Sequence, residues 1–228
     1  VAPPSPRARF LRHHAEDDPG LVGAAFERRG FAVDVVDVRD DTGPIDLAGV
    51  QVLGILGSKW SVYDPAQVGG WLGLELAAIG EADRAGIAVL GICFGAQALC
   101  VAFGGRVEAA ARVELGWVPL EGAPDEGLPS GPWFQFHGDR CVVPERARVL
   151  AINEVGVQAF RVGRHLGVQF HPELDAAQFA RWLANGAEEA ARAEGLRGAE
   201  LLAEIAEREA EASQRVDQLV QGFLDRAS

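Results

Sequence analysis

One thiol in this chain stands where it could act as a nucleophile. Cys93 lies in Leu90-Gly91-Ile92-Cys93-Phe94-Gly95-Ala96-Gln97, with a glycine two positions away on each side. Further on, Gly167-Val168-Gln169-Phe170-His171-Pro172-Glu173 sets an imidazole and a carboxylate two residues apart. A thiolate can attack a carbonyl carbon. The imidazole can take the thiol proton and later give it to a leaving amine, and the carboxylate can orient the ring. Cys93, His171 and Glu173 are thus a sufficient set for acyl transfer through a thioester. Pro172 fixes one backbone angle between the last two and stiffens the pair.

Two elements must position this chemistry. Ile87-Ala88-Val89-Leu90 is a continuous apolar run, as expected of a strand covered on both faces of a parallel sheet. Gly91 and Gly95 have the spacing of a nucleophile elbow, where a Cβ would collide with a neighbouring strand or helix. Residues 94–103 then read as a helix, so the thiol sits at a helix N-terminus, whose dipole and free N–H groups favour thiolate over thiol. The Phe94 amide, just after the nucleophile, is placed to donate to an oxyanion. Leu166-Gly167-Val168-Gln169-Phe170 reads as a strand, and at its end positions i and i+2 project to one side, bringing Glu173 to His171. Cys100 and Cys141 lack glycine framing and read as small core residues. No metal-ligand spacing occurs, so neither a metal nor a cofactor is expected.

The rest of the chain alternates strands and helices. A strand begins at Arg9-Phe10-Leu11, followed by a helix over about 20–29, strands over 31–38 and 50–56, and a long helix over 65–85. After Gly104-Gly105 the pattern turns to short strands and turns through residue 170, with a helix from about 175 to 185. This order predicts an α/β fold with a mostly parallel central sheet, helices on both faces and an antiparallel extension. Sites in such sheets lie at the carboxyl ends of strands, where Gly57, Cys93 and His171 would fall. His13-His14 end the first strand on that side. They read as polar loop residues, because adjacent side chains on an extended chain point to opposite faces.

Composition narrows the class. A chain of 228 residues can bury one large α/β core with an appendage, and a formal charge of −12 argues against nucleic-acid or membrane-surface partners. Three cysteines fit a reducing cytoplasm better than a disulfide framework. Val1-Ala2-Pro3-Pro4-Ser5-Pro6 lacks the basic start and apolar stretch of a signal peptide, and no apolar run is long enough to cross a bilayer.

The motifs together resemble the class I glutamine amidotransferases, the triad family with a Cys–His–Glu set, and within it stand-alone GMP-synthase-like proteins. The resemblance runs over about 7–185 and includes Gly54-Ile55-Leu56-Gly57-Ser58, Val62-Tyr63-Asp64, Glu114-Leu115-Gly116-Trp117, Phe136-His137-Gly138-Asp139 and Gln158-Ala159-Phe160-Arg161 beside the two catalytic stretches. It implies a flavodoxin-like three-layer sandwich. It also implies that Cys93 attacks the side-chain carboxamide of L-glutamine, that His171 shuttles protons, and that Glu173 orients His171. Gly57 would be the oxyanion glycine, working with the Phe94 amide. Gln97 would contact the substrate, and His137 and Gly138 would meet its backbone groups. Relatives often carry proline after the oxyanion glycine, whereas this chain has Ser58-Lys59-Trp60. Lys59, the sole lysine, reads as a solvated loop side chain rather than as a group binding an acidic substrate.

On this reading 1–186 form the amidotransferase domain and 187–228 a C-terminal amphipathic helical tail. Leu202 and Ile205, then Ala212, Val216, Leu219 and Phe223, follow alternating three-and-four spacing, interrupted by Glu209 where an apolar residue is expected. That interruption favours a helix docked on its own domain over an intermolecular coiled coil; the sequence leaves the oligomeric state open. The chain shows no ATP pyrophosphatase loop and no P-loop, so an ammonia-accepting synthase would be another protein. The alternatives are a hydrolase of γ-glutamyl compounds using the same triad, and a non-catalytic binding or regulatory protein on this fold, against which the intact triad counts.

Overall fold

The strands that carry the chemistry are the most apolar, and they lie at the centre of the sheet. The structure, a computed structural model, describes residues 5–39 and 43–227, so residues 1–4 of the N-terminal stretch read above lie outside it. Strands β1 (Arg7–Arg12), β2 (Ala32–Asp37), β3 (Val52–Ile55), β4 (Ala88–Ile92) and β9 (His165–Val168) run parallel in the order β2-β1-β3-β4-β9. Every residue of β3, β4 and β9 is buried. The sheet continues antiparallel through β8 (Val157–Val162), β6 (Gly131–Val142) and β5 (Arg106–Leu120), with β7 (Arg148–Ile152) paired to β8. The α/β class, the mostly parallel sheet and the antiparallel extension are those expected. The extension is built differently, from a pair of long strands, β5 and β6, rather than from short ones. Its register shifts between Ala109 and Glu114, where the ribbon bends.

Helices cover both faces. One core cluster joins Phe10, Phe26, Leu90 and Val168 to Phe223, and a second joins Leu11, Leu53, Ile79, Val89 and Phe94. The helix expected over 65–85 is broken into α2 (Pro65–Val68) and α3 (Leu72–Ala85). Gly69-Gly70 gives the backbone little helical preference there, and Trp71 turns into the core. The helix expected near 175–185 is α5 (Ala176–Trp182), capped by the Asp175 side chain on Gln178 N–H. A wide turn at 183–187, with Asn185 and Gly186 off helical geometry, links it to α6 (Glu188–Ala193).

The long helix α7 (Gly198–Leu224) lies against the domain. Val216, Leu219, Val220 and Phe223 join the core beside α1 (Gly20–Glu27), and Asp217 accepts from Arg28 and Arg29. Glu209 is half-buried, and its Oε2 accepts the Ala176 N–H at 3.1 Å, satisfying a first-turn donor of α5. The charge that interrupts the apolar seam therefore has a partner at the edge of the contact. Among the described residues, no helix is long and apolar enough to cross a membrane.

Candidate active site

Strand β4 ends by placing Cys93 at a tight apex before α4 (Phe94–Ala102). Cys93 has φ of 52°, and among the described residues it is the sole non-glycine with positive φ. Such a conformation persists where its surroundings enforce it. They do so here through two close approaches. A Cβ on Gly91 would lie 2.6 Å from the Gly95 carbonyl carbon, and one on Gly95 would lie 2.8 Å from that of Ile55. The Cys93 amide pairs with Val168 O at 2.8 Å, tying the elbow to β9.

His171 and Glu173 lie just past β9, which stops at Val168, two residues short of the expected end. The chain is held there by backbone bonds. His171 N–H donates to Phe134 O at 2.8 Å, and Leu21 N–H, in the first turn of α1, donates to Glu173 O at 2.9 Å. The His171 Nδ1 and Glu173 Oε1 atoms are 2.7 Å apart and buried. Burial opposes charge on this ring, but the carboxylate of Glu173 and the neighbouring Cys93 outweigh it and raise the His171 pKa well above the usual value. The Trp182 ring meets the imidazole edge to face at 5.2 Å.

Gly57, past the end of β3, touches both partners. A Cβ there would sit 3.0 Å from His171 Cε1 and 3.6 Å from Cys93 Cβ. These residues open on a cavity of about 830 Å³ that is also lined by Gln97, His137 and Gly138. Buried polar atoms of its lining without a hydrogen-bond partner in the protein include Gln97 Oε1, His171 Nε2, Asp17 Oδ2 and His14 Nε2. Buried polar groups normally find partners, so these are available to a ligand or water. His137 Nδ1 lies 2.9 Å from Asp139 O, and Nε2 lies 3.2 Å from the Glu114 carboxylate, an ion-pair distance without hydrogen-bond geometry. Asp139 accepts from Ser61 Oγ at 2.5 Å and Tyr63 Oη at 2.6 Å, joining the loop after Gly57 to β6. Lys59 is exposed at the rim, over the Trp60 ring.

The histidines after β1 correct the sequence reading. His13 is a loop residue just past β1, as expected, but it is fully buried and lies behind Gly57 with Glu75 of α3. His14 packs on Trp60 at the cavity, where burial and then Lys59 and Arg39 lower its pKa to about 4. Glu75 sits on the α3 face that also buries Ala78, Ile79 and Ala82. A carboxylate on an apolar helical face was the available sign that a buried polar partner waits opposite. Asp17 and Trp182 were also missed. Asp17 Oδ1 accepts from Trp182 Nε1 at 3.1 Å, and burial raises the Asp17 pKa to about 6. Neither carries a motif of its own. No cluster of metal-ligating side chains is present among the described residues.

An elbow cysteine facing a histidine–glutamate pair at the carboxyl edge of a parallel sheet is the layout of triad amidotransferases. The family model described as glutamine amidotransferase class-I matches residues 22–190, and the chain belongs to that family. It is 39% identical over 142 residues to a GMP synthase [glutamine-hydrolyzing] of Porphyromonas gingivalis, covering 58% of this chain and 26% of that protein. A GMP synthase of Bartonella bacilliformis is 31% identical over 166 residues, covering 68% and 30%. The matches thus span less than a third of these relatives. The fold matches that of a glutamine amidotransferase from Thermotoga maritima with a TM-score of 0.87 at 24% identity, covering 97% of this chain and 99% of that one. One from Methylobacillus flagellatus gives 0.82 at 23%, covering 97% and 94%.

Proposed function

We propose that this chain hydrolyses the side-chain amide of L-glutamine through a thioester on Cys93 and supplies the ammonia to a synthase lying outside these 228 residues. The observation that carries the proposal is the buried, unpartnered Gln97 amide oxygen, set in the same cavity as Cys93 and His171. It offers an acceptor for a ligand's α-amino group beside the nucleophile. His171 takes the thiol proton and the sulfur attacks the carboxamide carbon. The oxyanion is met by the amides of Gly57 and Phe94. His171 then protonates the leaving nitrogen, ammonia departs, and a water deprotonated by His171 cleaves the thioester to glutamate. Glu173 holds the ring in the tautomer these transfers need. The test is ammonia release from glutamine, with Cys93→Ala as the control. Wild-type release no faster than that of Cys93→Ala rejects the reading.

A second reading is favoured by the cavity's reach along Ala187, Ala190 and Ala193 to Glu194. That space would accept a γ-glutamyl compound with a bulkier amine leaving group, with water as the final acceptor. Faster partner-free cleavage of γ-glutamyl amines than of glutamine selects it.

A further inference from the structure

A second buried histidine–glutamate pair lies behind the catalytic backbone, and the reaction as written makes no use of it. His13 has no exposed surface. Its Nδ1 is 2.9 Å from Gly57 O and its Nε2 is 2.9 Å from Glu75 Oε2. Both partners are acceptors, one a carbonyl and the other a carboxylate. With Glu75 ionised, a ring that satisfies both donates from both nitrogens, and such a ring is an imidazolium. The ring is clamped at 4.6 Å from Trp71 and 4.8 Å from Phe94. Burial works against the charge, but Glu75 and the Gly57 carbonyl outweigh it and raise the His13 pKa above the usual value.

A buried ion pair is a weak source of stability, since desolvation offsets much of the attraction. Its placement suggests another role. His13 touches both residues whose amides are assigned to the oxyanion: it bonds the carbonyl of Gly57 and packs against the ring of Phe94. The planar trans peptide then fixes the Ser58 N–H outright, and the Gly57 N–H, on the other side of the same Cα, is restrained through the two dihedrals of Gly57 itself. A charge-assisted bond to that carbonyl restrains the strand end more firmly than a neutral one.

We propose that His13 and Glu75 are a positioning pair for the oxyanion backbone: the doubly protonated ring holds the Gly57 carbonyl, and the Glu75 carboxylate balances its charge. The inference rests on the amidase reading above. It requires His13 to keep one state throughout the cycle, unlike His171, and it assigns the pair no contact with substrate.

The test separates steps that need an oxyanion from one that does not. Iodoacetamide alkylates Cys93 by displacement of iodide, with no tetrahedral oxyanion. In Glu75→Gln and His13→Asn, kcat for glutamine should fall about ten- to a hundredfold, short of the ~10²–10³ lost on deleting an oxyanion donor outright. KM and the alkylation rate of Cys93 should stay within about threefold of wild type, as an effect confined to the transition state requires. His13→Asn, whose amide can still donate to Gly57 O, should retain more activity than His13→Ala. Parallel losses of alkylation and turnover, or His13→Asn no better than His13→Ala, would overturn the proposal. Imidazole ¹⁵N shifts of the wild-type protein give a check that survives poor folding of any variant. Both His13 nitrogens should be protonated at neutral pH, and a neutral ring overturns the proposal. A wild-type chain without amidase activity, yet with a cationic His13, would instead reject the amidase reading and the catalytic role built on it.

Discussion

Two of the buried histidine–glutamate pairs of this molecule, His171–Glu173 and His13–Glu75, differ in what the second ring nitrogen does. In the first, His171 bonds Glu173 through Nδ1 and leaves Nε2 without a protein partner at the cavity. In the second, His13 bonds Glu75 through one nitrogen and the Gly57 carbonyl through the other, with no surface exposed. A ring with a free nitrogen can accept and return a proton. A ring with both nitrogens committed to acceptors can move a proton only by losing a bond. Similar side chains thus yield a shuttle in one place and a fixed charge in the other, with Gly57 between them.

The largest effects should come from the pair with the open nitrogen. Cys93→Ala should reduce glutaminase turnover to background, and a glutamine-mimicking electrophile should label Cys93 in preference to Cys100 and Cys141, which are buried away from the cavity. His171→Ala should lower the rate by on the order of 10²–10⁴. Steady-state ammonia release and mass mapping of the labelled thiol check both. If His13→Ala cost more than His171→Ala with folding intact, the division of roles between the pairs would be broken.

Glu173→Gln should be milder, with a loss on the order of 10², because His171 remains to move protons while its orientation and charge support weaken. The same change should lower the His171 pKa, since the Glu173 carboxylate is the leading influence that raises it. NMR titration of the ring checks the direction. A His171 pKa unmoved by Glu173→Gln would remove the electrostatic part of the assignment.

The two pairs were not equally legible in the sequence. His171 and Glu173 stand two residues apart beside a proline, and Cys93 carries its own glycine frame, so short-range spacing displayed the chemistry. His13 and Glu75 are 62 residues apart and meet only because the tertiary fold brings α3 against the loop after β1. The parallel core was readable for a related reason: strands buried on both faces are apolar throughout, as Ala88–Ile92 shows. The ribbon of β5 and β6 was not, because β5 buries only Glu114, Gly116 and Leu120, β6 follows no strict alternation, and the register shifts between Ala109 and Glu114. Glu209 and Glu75 illustrate one lesson twice. A charge on an apolar helical face marked a partner brought in by tertiary structure, an α5 amide in one case and a buried imidazole in the other.

Asp17 lies within electrostatic reach of both pairs and gives a pH test of their charges. Burial raises its pKa from 3.8 to about 6; the cationic His13 and the Trp182 bond oppose the rise, while Glu173 adds to it. Because the folded value exceeds the unfolded one, the native state binds the proton more tightly. This contribution to stability is full below about 3.8 and is lost as pH rises through about 6. His14 works in the opposite sense, its folded value near 4 lying below the ordinary 6.5, so wild-type stability combines both trends. Asp17→Asn keeps an acceptor for Trp182 and isolates one of them. Its melting temperature relative to wild type should climb between about pH 4 and 6 and level off above. A flat difference would mean that Asp17 is ionised throughout and that the local balance of charge is misassigned.

The smallest effect should come from a third glutamate, whose partner is a backbone amide rather than a buried ring. Glu209 accepts from Ala176 N–H at the first turn of α5, and the helix also has Asp175 capping Gln178 N–H. Glu209 is half-buried, so water can partly replace it once it is removed. Glu209→Ala should therefore lower stability by about 1 kcal/mol, as for loss of a helix-capping side chain. Chemical denaturation gives the value. Because α5 ends at Trp182, which meets the His171 ring, the same variant also tests whether α7 influences the triad through α5. Asp175 and the Asp17–Trp182 bond should hold α5 in place, leaving kcat within about twofold of wild type. A stability loss near 1 kcal/mol with a tenfold fall in kcat would show that α7 tunes the imidazole through α5, and that the open pair depends on its surroundings as much as the closed one.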